Sequence, residues 1–575
     1  MATRQGPVNQ PGPVSFCERC AGVQLFDAAF TPVLNSLLSG VLMKRLVCLL
    51  ALFLFCASLV LADDEKTPHH HDALNETQLG TVHFSISCDE SVQKPFERGV
   101  ALLHSFWYEE AEKEFVDIAQ DDPHCAMAHW GIAMSLWHQL WNEPDAKVIA
   151  RGLNESKRAR KLKSTPREQA YITAITAFYS HSNKLNHAAR AKAYSEAMKK
   201  VYESYPDDHE AATFYALSLL ASDETLEHRK EAAAILEKLF VIEPDHPGVP
   251  HYLIHAYDTP QLAELGIPAA RRYAQIAPAA PHALHMPSHI FARVGLWQDD
   301  INSNLASIAA TRKTVAMGMG GEGHQFHAMD FLVYAYLQSG REEEAAKVIE
   351  EVKGMPPTKN MYGMDFDPRL ESEASFEASY ALELHDWKSA ASLSPVSRDP
   401  DYTAVTHLAR ALGAARSGQL DEARKDVEEV KSISKLRREN KKTDEADFLD
   451  RQIAEPEAWI AHAEGKDDEA IKLLKPLTEK ETDGFSGTGY LPAHELLGDL
   501  LLEANKPQEA LAEYQTDLKL NPNRFDGLYG AARAAEQAGK QKDAEEYYAL
   551  LVKTCEGGNS TRAELTRAKQ LVAEK

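Results

Sequence analysis

A repeat of about 34 residues constrains this chain more than any other feature. One fixed interval separates Gly498 from Ala532, Ala510 from Ala544, and Tyr514 from Tyr548. Small and aromatic residues recurring at one distance mark places where successive helix pairs cross closely. Around them the apolar residues return every three or four positions. Gly, Pro, Asp and Asn separate the runs, and an alternating strand pattern is almost absent. A small residue, a bulky one and then Pro also recur upstream, as Ala111, Phe115 and Pro123, as Ala232, Leu236 and Pro244, and as Ala269, Tyr273 and Pro281. A Pro there ends the second helix of a pair. Looser units begin at Gly340, Gly418 and Gly465, each with Gly at a helix end and acids in the next first turn, where the helix macrodipole favours them.

These motifs resemble the tetratricopeptide-repeat superfamily over roughly residues 95–553. The resemblance implies an all-α fold, a right-handed α-solenoid of helix-turn-helix repeats, with a concave groove that takes a protein or peptide. We divide the array into a histidine-rich N-terminal part, 91–353, and a C-terminal part, 372–555. Between them 354–371 lacks helical periodicity and reads as a linker or crossover, and 556–575 reads as a tail.

Ahead of the repeats, Leu46–Leu61 is uncharged and apolar, with Lys44-Arg45 before it and Ala62-Asp63-Asp64 after it. A basic start, a short apolar run and small residues before a polar switch describe a signal peptide at 43–62, and Val60 and Ala62 suit cleavage after Ala62. Met43 then reads as the start, 1–42 as a gene-model extension or short tail, and 63–90 as a linker. A signal anchor is the alternative. Either way the chain is expected in the secretory lumen or outside the cell. Sequons at Asn75, Asn154 and Asn559 agree with this, and Cys88 and Cys125 can pair in an oxidising compartment. Charge narrows the partners: 62 Lys and Arg against 86 Asp and Glu leave −24, which argues against nucleic acid. No polytopic membrane region is present in the pattern.

The chemistry-bearing residues are histidines. His251 and His255 form HxxxH, with Asp258 close behind them. His282, His285 and His289 stand at i, i+3 and i+7, and His324 and His327 are followed by Asp330. Each set falls on one helical face. His251 and His255 precede His285 and His289 by the same interval as the repeat, so equivalent positions of consecutive repeats present imidazoles to one another. Seven histidines between His251 and His327 leave many ring nitrogens to satisfy, and i, i+4 imidazoles can share a metal ion. We therefore expect a transition-metal site using His251, His255, His285 and His289, with His282, His324, His327, Asp258 and Asp330 as further candidates. Zinc, copper, nickel and iron all suit such ligands.

The stretches HYLIHAYD, ALHMPSHIFARVG, HQFHAMDFL and DPHCAMAHWGIAMSLW are similar to a little-characterised group of tetratricopeptide proteins with HxxxH motifs in consecutive repeats. That resemblance implies the fold and no activity. Three readings stay open: a binding scaffold with a structural metal, a metal-dependent hydrolase or oxidase with its active site at the cluster, and a metal-free solenoid whose histidines hydrogen-bond helix to helix. His124, His129 and His138 beside Trp130 and Trp137 read as core, GMGGEG at 318–323 as a turn into the His324 helix, and His69–His71 as a solvated stretch.

Overall fold

The computed structural model describes residues 74–573, apart from 75, 141, 224, 359–366 and 483–487. The signal-peptide segment, His69–His71 and the Asn75 sequon lie outside the described residues. Every regular element among those described is a helix, and no helix is long and apolar enough to cross a membrane.

The helices pair as the repeat requires. Gln93–His104 packs on Tyr108–Asp121, Ala126–Ser135 on Ala146–Lys161, and Pro166–Tyr179 on His187–Ser204. His209–Ser222 pairs with Leu226–Ile242, and Gly248–Tyr257 with Ala263–Ile276. The next unit begins with Pro281–His285 and Pro287–Arg293, a first helix interrupted at Pro287, and returns through Trp297–Ala316. Glu322–Gln338 and Glu342–Gly354 follow. First helices also touch the first helices of neighbouring pairs. The result is an all-α helical-repeat solenoid.

Local chemistry explains where the helices start. Asp145 accepts from the Lys147 and Val148 amides, and Thr165 with Glu168 forms a reciprocal capping box ahead of Pro166. The crossings use the small residues seen in the sequence. A Cβ on Gly498 would stand 2.8 Å from the Tyr514 ring, and one on Gly131 would overlap the Phe115 ring outright. Gly131→Ala is therefore expected to cost about 1–3 kcal/mol through forced separation of two helices. Urea unfolding measures it, and an unchanged midpoint would contradict this packing.

Three segments depart from the expected organisation. Described residues of the 63–90 stretch form a strap rather than a free linker. The Ala279 amide donates to the Gln78 carbonyl, the Thr81 amide to the Asp245 carbonyl, and the Ser87 amide to Glu168. Phe84 is buried among Phe96, Trp130 and Tyr171, and Cys88 is disulfide-bonded to Cys125. The strap thus crosses the turns of several repeats. At the other end, Ala563–Ala573 is a helix whose Leu565 and Ala568 are buried, where a tail was expected. The helix Pro368–Glu383 likewise begins inside the 354–371 stretch.

The C-terminal repeats fold back on the N-terminal ones. The Trp297 indole N–H donates to the Asn523 carbonyl, and the Ser560 amide to the Gly340 carbonyl. At the centre of this junction Arg524 is wholly buried, its guanidinium reaching Glu495 at 2.7 Å, Glu383 at 2.9 Å and the Tyr334 hydroxyl at 3.3 Å.

Candidate metal centre

The histidines come together from the first helices of three consecutive pairs. Helix Gly248–Tyr257 supplies His251 and His255, the interrupted helix 281–293 supplies His282, His285 and His289, and Glu322–Gln338 supplies His324 and His327. Gly318, Gly320 and Gly321 all hold positive φ, so this turn takes backbone angles that other residues rarely adopt. That conformation delivers His324 at the first turn of its helix.

Two triads result. Nitrogens of His251, His255 and His282 lie within 4.8 Å of one another, and so do those of His285, His289 and His327. The four-histidine set expected from the spacing is thus divided between two groups, each completed by a histidine from the following turn or helix. His324 stands beside His282, with ring centroids 5.3 Å apart, outside either triad. Asp330 accepts from the Thr488 amide at 3.0 Å and from the Thr488 hydroxyl.

The ring protons can be traced from their partners. The His251 Nδ1–H donates to the His104 carbonyl at 2.6 Å. His285 Nδ1 faces the Asn304 Oδ1 at 2.7 Å, and that amide is oriented by its own Nδ2, which donates to the Asp300 carboxylate and carbonyl. The His289 Nδ1–H donates to Asp258 at 2.9 Å, and the Arg293 Nε–H donates to the other Asp258 oxygen at 2.8 Å. Three imidazoles therefore carry their proton on Nδ1 and turn an Nε2 lone pair inward. The Nε2 atoms of His285 and His289 are 3.0 Å apart, and those of His251 and His255 3.1 Å. Imidazoles whose outer N–H is held by a carboxylate, carbonyl or amide oxygen are the usual form of metal-ligating histidine.

Burial disfavours the charged form of six of these rings. Desolvation, reinforced by neighbouring histidines, drives His251, His282 and His285 well below the ordinary imidazole value. It brings His255 and His327 to about 3 and His324 to about 4. Burial works against the Asp258 carboxylate, yet His289 and Arg293 hold it well below the usual carboxylate range. Burial raises Asp330 to about 6, against the opposing Thr488 hydrogen bonds.

Some participants have no visible signal in the sequence. Phe106 sits at positive φ in the turn after Gln93–His104, a costly angle for a bulky residue. Its ring lies 4.3 Å from His251 and 5.6 Å from both His255 and His282. Phe331 stands in the same relation to the second triad, 5.0, 4.7 and 5.4 Å from His285, His289 and His327. Asn304 comes from a second helix, where no histidine spacing points to it. A neighbouring network is equally silent in the sequence: Glu210 accepts from the Nε2–H groups of His104 and His246, both at 2.8 Å. There the Gly248 amide occupies His246 Nδ1 and the Tyr252 hydroxyl meets His104 Nδ1, so hydrogen bonds satisfy every ring nitrogen. Trp130 and Trp137 are buried, while His129 bonds Glu155 and His138 stacks on Tyr108.

Comparison with known proteins bears on the fold. Residues 496–559 match the model of the tetratricopeptide repeat. No curated protein matches the chain in sequence. Among solved structures, the human IFIT1 dimer with PPP-AAAA aligns over 79% of this chain and 94% of its own, at 11% identity and a TM-score of 0.36. The APC/C Cut9–Hcn1 hetero-tetramer aligns over 83% of this chain and 89% of its own, at 12% identity and a TM-score of 0.30. Superpositions this loose assign nothing to the histidine centre. Residues 496–559 thus carry the tetratricopeptide repeat, and the helix pairs upstream continue the same all-α helical-repeat architecture.

Proposed function

We propose that this is a secreted tetratricopeptide-repeat protein that binds a transition metal at the histidine centre and uses the surrounding solenoid as a binding scaffold. One observation carries the metal reading. His285 and His289 aim two Nε2 atoms at each other across 3.0 Å while both Nδ1 atoms are already committed as donors. Two lone pairs at that distance repel unless a cation stands between or beside them. A proton held on His289 beside Asp258 also meets the requirement, whereas burial and the adjacent His327 and His289 rings disfavour one on His285. A metal ion meets it with both rings neutral and both Nε2 lone pairs engaged. The Cys88–Cys125 disulfide supports an oxidising compartment.

A second reading has its own observation. A cavity of about 640 Å³ is lined by His327 and Asp330 together with Tyr402, Phe448 and Tyr490. A small molecule entering there would meet the second triad beside a carboxyl poised near neutrality, the arrangement a metal-dependent hydrolase or oxidase needs.

The test is elemental mass spectrometry on the chain secreted from a eukaryotic host without a polyhistidine tag. At least one equivalent of transition metal is expected, falling to background when His251→Ala and His285→Ala are combined. A metal-free wild-type chain, after metals are supplied during expression, would leave only the scaffold reading.

A further inference from the structure

Resting on the metal reading above, we propose that the centre is dinuclear, with one copper ion in each triad, and that its resting ions are cuprous. Reach sets the number of ions. An ion bound at about 2 Å from each nitrogen holds donors no more than about 4 Å apart. Within a triad the donors lie inside 4.8 Å, which small ring rotations close to that span. Among the described residues no group of three or more donors drawn from both triads meets that 4.8 Å span. One ion serves three of these imidazoles and leaves the other three without a cation.

The surroundings are duplicated as well. Each HxxxH pair has its own outer support: the His104 carbonyl for His251, and Asn304 and Asp258 for His285 and His289. Each triad also has its own phenylalanine wall, Phe106 for one and Phe331 for the other. Two complete sites have been built on consecutive repeats. The other clusters of this type among the described residues are closed to metal. Cys88 and Cys125 are joined to each other, and the ring nitrogens of His104 and His246 are all taken by hydrogen bonds.

Charge selects the ion. All six ligands are neutral, and the carboxylate bonded to the centre, Asp258, is already shared with Arg293. Two divalent ions would bring four positive charges into a buried pocket with little to balance them, and uncompensated charge in such a place is costly. Two cuprous ions bring half as much. Copper also accepts all-imidazole ligation, and three nitrogens suffice for its monovalent state.

The experiment titrates metal-stripped chain with cuprous ion under argon and counts copper after exhaustive dialysis. Two coppers per wild-type chain are expected, one in His251→Ala, one in His285→Ala, and none in the double variant. After oxidation, paired cupric ions couple, so wild type should show far fewer unpaired spins than coppers, and each single variant should show about one spin per chain. One copper in wild type, lost in either variant, would overturn the dinuclear proposal and leave the metal reading standing. Two equivalents of zinc in place of copper would overturn the choice of ion. No binding of any transition metal would remove both readings. Should a histidine variant fail to fold, the wild-type copper and spin counts decide between one ion and two.

Discussion

Arg524→Ala is expected to lower stability by about 3–5 kcal/mol, the usual consequence of removing one member of a buried ionic group. The guanidinium is entirely buried and bonds two carboxylates, Glu495 at 2.7 Å and Glu383 at 2.9 Å, which have few other partners. Glu383 also accepts from Gln338, and Gln338 in turn accepts the Phe525 amide. One side chain therefore ties Glu322–Gln338 and Pro368–Glu383 to the turn ahead of Phe525–Gln537. Cutting it strands two buried carboxylates, and the fold must then protonate them or admit water. Denaturant unfolding measures the loss, and limited proteolysis reports whether the C-terminal repeats have come away. The triple change of Arg524→Met, Glu383→Gln and Glu495→Gln should recover part of the stability, because it removes the charges together. A loss below about 1 kcal/mol for the alanine variant would mean that the junction is held by its apolar contacts and not by this cluster.

Arg524 also shows where sequence reading stops. The repeats are legible because they are local: a small residue against an aromatic one at a fixed interval, acids in first turns, Pro at second-helix ends. The gathering of histidines is legible for the same reason, since HxxxH on successive first helices is a spacing. How they divide is not. His282 joins His251 and His255 while its helix neighbours His285 and His289 join His327, and that division depends on how far adjacent helices are staggered. The interval from Pro244 to Pro281 is longer than that from His251 to His285, which hints at such a stagger without giving its size. Partners set by tertiary packing leave no trace at all. Phe106 reaches the first triad from several repeats upstream, and Glu383 meets Arg524 across a separation of 141 in the chain. Neither belongs to a periodic pattern. The strap at 76–88 reads as a linker because it has no helical period, and its order comes from hydrogen bonds to turns far along the chain.

Acid should unfold the metal-stripped N-terminal half near pH 5 while the C-terminal repeats hold. The sign follows from the histidines. Burial, with the His289 charge next for both, takes His255 and His327 from 6.5 to about 3, and burial takes His324 to about 4. His251, His282 and His285 are displaced the same way. A base with its folded-state value depressed binds its proton more readily when unfolded. Its contribution is complete above pH 6.5 and drains away as the pH falls toward the folded value. Each such histidine removes about 1.4 kcal/mol per pH unit in that window. Several together exceed the roughly 5–15 kcal/mol that hold a domain within a unit or two below 6.5. The C-terminal half carries one comparable residue, His385, brought to about 4. Its Glu455 has the opposite tendency, raised to about 8 by burial and by Glu481, so acid favours its folded form. Hydrogen exchange at pH 7 and pH 5 separates the halves: exposure is expected in Gly248–Tyr257 and Glu322–Gln338, with Ala493–Glu503 and Phe525–Gln537 still protected. Bound metal should postpone the transition, because protons must first displace it from the same nitrogens. Protection of the histidine helices down to pH 4 in stripped protein would show that these imidazoles accept protons in place, and the cation between His285 and His289 could then be a proton as readily as a metal ion.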